Sequence, residues 1–84
     1  MTTPIQQFES EILEDVAERL ALVPVEHLEP TLRGIKSAFI GELLERWPAT
    51  PNQELLDSAE RFVTAVRKRA GEISRAAPNL AGRA

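Results

Sequence analysis

Cysteine is absent from the 84 residues, which removes disulfides, thiolate catalysis and cysteine metal sites together and fits a reducing compartment. Histidine occurs once, as His27, in a proline-bounded connection beside Glu26 and Glu29. No nucleophile motif accompanies it, and hydrolysis by Ser or Thr needs a base held by a third group. His27 therefore reads as a surface or capping residue. No Glu-x-x-His pair is present to build a carboxylate-bridged metal site in a bundle, and nothing suggests a pocket with paired acids for glycoside chemistry. Glycine-rich phosphate loops are missing too, since Gly34 and Gly41 lie inside an apolar helical pattern. No apolar run approaches the roughly 18 residues needed to cross a bilayer. The first residues carry no basic segment followed by an apolar stretch, so no secretory signal is expected. Strand alternation is also lacking. Catalytic residues, metal ligands and cofactor-binding residues are all expected to be none, and a cytoplasmic location is expected. Arginine outnumbers lysine eight to two and alanine is plentiful, a bias that points to a bacterial origin.

What the chain does carry is helix grammar. Thr3-Pro4-Ile5-Gln6 and Thr50-Pro51-Asn52-Gln53 share one pattern. The Thr can accept a bond from a free backbone N–H, Pro at the first helical position gives up no needed donor, and Gln can reach back to the cap. The two helices opened in this way share too little else to indicate a duplication.

The first helix is predicted over residues 4–23, with Ile5, Phe8, Ile12, Leu13, Val16, Leu20 and Val23 on one face. Glu11, Glu14, Asp15 and Glu18 form a continuous acidic stripe on the opposite face. The second helix is predicted over 28–47 and stops at Pro48; whether residues 24–30 are a loop or its opening, with Pro30 in the first turn, is left open. Leu28, Leu32, Ile35, Phe39, Leu43 and Trp47 lie on one side, and Ile40 and Leu44 widen the arc to nearly half the circumference. Beside it runs a small-residue stripe of Gly34, Ser37, Ala38 and Gly41. Two glycines inside a helix cost about 1 kcal/mol each relative to alanine, so close approach of another backbone is expected there.

The third helix is predicted over 51–76, with Leu55, Leu56, Ala59, Phe62, Val63, Val66, Ala70 and Ile73 facing inward. Arg61, Lys68 and Arg75 recur on its polar face, and Arg67 and Arg69 flank the apolar stripe. Pairs Asp57–Arg61 and Glu72–Arg75 have helical spacing. Short connections imply antiparallel neighbours. The expected fold is a small all-α antiparallel three-helix bundle in one domain, residues 1–77, with a flexible tail over 78–84; the alternative is an open helical hairpin completed by dimerisation.

The net charge of −3 hides an asymmetry: residues 1–29 hold seven acidic residues and one basic, residues 61–84 six basic and one acidic. Such separation selects partners and orientation more than it stabilises a fold. By elimination the expected role is a non-catalytic protein–protein interaction module, a small adaptor, chaperone-like subunit or regulator. Its partner-binding residues would be Glu11, Glu14, Asp15, Glu18, Gly41, Leu43, Leu44 and Trp47, and the partner another protein or a second copy, as a homodimer. The alternative is a small DNA-associated regulator using Arg61, Arg67, Lys68, Arg69 and Arg75. Against it stand the pI of about 5.1 and a basic helix with no stacking aromatics on its polar side.

Overall fold

In the computed structural model, which describes residues 3–76, the chain is an all-α three-helix bundle. Helix α1 spans Pro4–Ala21, α2 spans Leu28–Arg46 and α3 spans Asn52–Ala76. The expected tail over 78–84 lies outside the described residues.

The first cap forms as its sequence predicts. Thr3 Oγ1 accepts from the Gln6 amide at 3.1 Å, and Gln6 Oε1 accepts from the Thr3 amide at 3.2 Å. Two otherwise unpaired donors are satisfied reciprocally. The second copy of the motif behaves differently. The Thr50 hydroxyl donates to the Trp47 carbonyl at 2.7 Å, and the Gln53 amide donates to Asp57 at 2.9 Å. Here Pro48 and Ala49 form a tight turn, and the Trp47 carbonyl accepts from both the Thr50 amide at 3.1 Å and its hydroxyl, so the hydroxyl is turned back rather than toward the helix it precedes. Helix α1 ends two residues earlier than expected, because the Leu22 and Val23 amides bond back to Arg19 and Leu20 in the three-residue pattern that tightens a helix end. The segment left open resolves as a short 3₁₀ turn, Val25–His27, running directly into α2. Pro30 sits in the first turn of α2, where its missing N–H has no partner to lose.

Charged contacts fix the helix directions. Arg61 pairs with Glu9 and Arg69 with Glu14, so α3 runs parallel to α1; Lys36 pairs with Glu60 and Arg67 with Glu29, so α2 is antiparallel to α3. Small buried residues, Ala17 on α1 and Ala59 and Ala70 on α3, let those two helices lie close along their length. Helix α2 also packs on α3 but meets α1 only sparsely.

All four aromatic side chains of the sequence join into one ladder through the core. Phe62 stacks on Phe39 with ring centroids 4.3 Å apart, Phe39 stacks on Phe8 at 5.9 Å, and Trp47 meets Phe8 edge-on at 6.1 Å. Each such pair contributes about 0.5–1.5 kcal/mol beyond its buried area. The ladder links all three helices. The one buried polar side chain among the described residues, Ser58, accepts from Arg61 at 3.3 Å, so its oxygen is not left unpaired.

Candidate docking site

The sparse meeting of α1 and α2 leaves a groove of about 160 Å³ between them. Ile12 and Val16 form one wall, Ile35, Ala38 and Phe39 the other, and Phe62 of α3 contributes to the lining. Ile12, Val16 and Ile35 are half-buried and Ala38 is exposed. These residues carry no side-chain polar group; Glu42, which also lines the groove, supplies the only one.

Of the small-residue stripe, Ala38 alone lines this groove. The expectation that another element of the fold packs on it is not met. Gly34, Ser37, Ala38 and Gly41 are all exposed, and a methyl group built at Gly34 or Gly41 would meet nothing within 4 Å. The α2 face that points inward is instead that of Leu32, Phe39 and Leu43.

Of the other residues expected to contact a partner, Leu43 is fully buried in the core, Leu44 is 43% exposed, and Trp47 is half-buried against Phe8. Of these three, Leu44 and part of Trp47 are the ones left at the surface. Leu56 is similarly exposed, and the antiparallel register of α2 and α3 puts it opposite Ile40. At the far end of the bundle Leu22 and Val25 are 86% and 82% exposed. The helical wheel missed both, because α1 ends before them and the 3₁₀ turn breaks the periodicity on which the wheel depends.

The acidic stripe divides in two. Glu14 accepts from Arg69 at 2.6 Å and 3.2 Å, a bidentate pair across the α1–α3 seam. Asp15 pairs with Arg19 one turn on, while Glu11 and Glu18 have no ion-pair partner among the described residues. Glu9, which the stripe did not include, accepts from Arg61 at 2.6 Å and 3.2 Å. Arg61 thus pairs across the seam rather than with Asp57, and Glu72 pairs with Arg69 at 3.2 Å rather than with Arg75. Intrahelical spacing permits the expected pairs, but carboxylates on the neighbouring helix offer bidentate geometry, which is the stronger arrangement. The hydrogen bond from Arg69 is the main reason that the Glu14 carboxyl sits below its usual value, and the hydrogen bonds and charges of Glu14 and Glu72 raise Arg69. Hydrogen bonding to Glu9, aided by the nearby charges of Asp57 and Glu54, raises Arg61.

A carboxyl whose folded pKa is depressed adds stability that is present above its unfolded pKa and is lost as pH falls through the folded value. The Glu14–Arg69 pair is thus fully effective above the usual glutamate value of 4.5 and fades below it. In Glu14→Gln the urea midpoint is expected to fall less steeply than in the parent as pH drops from 5 to about 3; parallel profiles would show that the pair adds nothing.

The basic candidates of α3 are partly consumed in the same way. Arg61, Arg67 and Arg69 hold carboxylates of α1 and α2, while Lys68 and Arg75 have no ion-pair partner among the described residues. His27 is exposed at the start of α2 and its side chain makes no capping bond. Among the described residues no cluster of His, Asp or Glu is arranged to hold a metal ion, and no helix is long and apolar enough to cross a membrane. No family model matches the chain, and neither a curated protein nor a solved structure matches it.

Proposed function

We propose that this chain is a non-catalytic protein–protein interaction module, a small adaptor, chaperone-like subunit or regulator that acts by docking. The observation that carries the reading is the apolar groove between α1 and α2, which the chain's own packing leaves open. Small domains gain by covering such surface, and grooves of this kind serve as partner sites. Gly34 and Gly41 add support. Each costs helix stability without relieving any contact inside the fold, a cost compatible with a surface kept low for something outside the chain. The absence of cysteine and the single exposed histidine support a role without chemistry in a reducing, cytoplasmic setting, and the excess of arginine over lysine supports a bacterial one.

The DNA-regulator alternative has less support, since three of its five cations already neutralise carboxylates of the same chain and phosphate would have to compete for them. The deciding experiment is a tagged pull-down from the native host, washed at low and moderate salt, with bound protein and nucleic acid both identified. One recurring protein is the expected result. Nucleic acid that washes away with salt, with no recurring protein, would replace docking by the regulator reading.

A further inference from the structure

The lips of the α1–α2 groove are acidic on both sides. Helical geometry puts Asp15 and Arg19 on the α1 edge, with Glu11 and Glu18 just beyond, and Glu42, Arg46 and Glu45 along the α2 edge. The two guanidinium groups are already engaged: Arg19 lies 3.3 Å from Asp15, and Arg46 lies 3.3 Å from Glu42 with its head 4.4 Å from the centre of the Phe8 ring. Glu11, Glu18 and Glu45 form no ion pair among the described residues and flank the groove rather than line it; Glu11 shares the neighbouring hollow over Phe8 with Arg46. On α3, Arg61, Arg67 and Arg69 are tied to the seams of the bundle; Lys68 and Arg75 on that helix, and Arg33 on α2, form no ion pair among the described residues, and none of the three lines the groove.

Resting on the docking reading above, we infer that the groove takes a basic amphipathic helix of a partner protein. Its apolar residues, at the i, i+3, i+4, i+7 spacing of one helical face, would enter between Ile12 and Val16 on one side and Ile35 and Ala38 on the other. Lysines and arginines flanking that face would meet Glu11, Glu18 and Glu45. Ala38 presents only a methyl group on the α2 wall, and Gly34 and Gly41, one turn away on either side of it along α2, have nothing within 4 Å, so the incoming backbone can lie close to α2, as small residues allow between packed helices. Charge complementarity chooses this occupant. An acidic helix would set carboxylate against carboxylate at the same positions, a repulsion that excludes wrong partners more effectively than it rewards right ones. A second copy of this chain offers no comparable segment, because the basic helix α3 is its most deeply packed element.

The test uses a fluorescent peptide of about five helical turns, with leucine on one face and lysine elsewhere, titrated into the full chain. Two controls accompany it: the same peptide with glutamate for lysine, and a shuffled peptide of identical composition but no helical face. The leucine–lysine peptide is expected to bind and both controls to fail. Ala38→Arg, at an exposed position that leaves the core untouched, is expected to weaken binding about tenfold. The triple variant Glu11→Gln, Glu18→Gln, Glu45→Gln is expected to weaken it too and to flatten its dependence on salt. Equal binding of the shuffled peptide, or no loss with Ala38→Arg, would overturn the inference. A dimer of the chain in sedimentation that Ala38→Arg dissolves would overturn it as well, giving the groove to a second copy. A host partner that cross-links near Leu44 and Leu56 instead would leave docking intact and remove the groove. Groove-dependent peptide binding with no protein recovered from the host would do the reverse.

Discussion

Replacing Phe39 by alanine is expected to destabilise the bundle by about 3–5 kcal/mol, the range for removing a buried phenylalanine from a packed core. Phe39 is the middle rung of the aromatic ladder: it stacks on Phe62 of α3 and on Phe8 of α1. Its loss therefore removes contacts between three elements rather than two. The site also cannot collapse easily. Helices α1 and α2 touch sparsely, and Phe39 forms part of the groove wall as well as the core, so the vacated space opens onto that groove instead of being filled by a neighbour. A domain of this size has only about 5–10 kcal/mol to lose, so the variant would be substantially unfolded by mild denaturant. The check is urea unfolding followed by the far-ultraviolet helical signal and by Trp47 fluorescence. Trp47 lies edge-on to Phe8, so the two probes report the helices and the end of the ladder separately. A loss below about 1 kcal/mol, the typical effect of an ordinary substitution, would mean that the ladder is not what joins the helices. Phe39→Leu, which keeps most of the volume, is expected to lose less.

The helices themselves could be read from local chemistry. Their apolar faces, their prolines and the Thr3–Gln6 cap depend on residues within a turn or two, and the structure follows them closely. What escaped the sequence was whatever depends on register between helices. Arg61 has carboxylates one turn away on α3, yet it pairs with Glu9 on another helix. The separation of acidic and basic stripes suggested binding to something outside the chain, but Arg69 meets Glu14 across a seam of the bundle, and Arg61 and Arg67 are taken by Glu9 and Glu29, outside the acidic stripe. The two Thr-Pro-x-Gln motifs are a second case. The Thr3 hydroxyl caps α1, whereas Thr50 lies at the end of a tight turn and its hydroxyl goes to the Trp47 carbonyl. The candidate site was legible only in fragments. Its apolar walls were visible as helix faces, but the groove exists because α1 and α2 meet only sparsely, and no periodicity within one helix encodes how closely two helices pack.

The small-residue stripe turns that difficulty into a measurable result. From the sequence, Gly34 and Gly41 are expected to lie against another backbone; in the structure they face open space. The first arrangement makes any added side chain destructive. The second makes an added methyl group favourable, because alanine restricts the unfolded chain and loses nothing in the fold. With nothing within 4 Å of either position, the double variant Gly34→Ala, Gly41→Ala is expected to gain about 1–2 kcal/mol. For a chain of this length that is a rise in Tm of roughly 4–8 °C for each kcal/mol. Calorimetry over a range of protein concentrations is the check, since a backbone supplied by a second copy would make the parent's Tm rise with concentration and the variant's fall behind it. A stabilised variant whose Tm is independent of concentration would confirm that this face of α2 is open in the free chain. A destabilised one would mean that something covers the stripe even in the isolated protein, and that the groove beside it is not available to a partner helix.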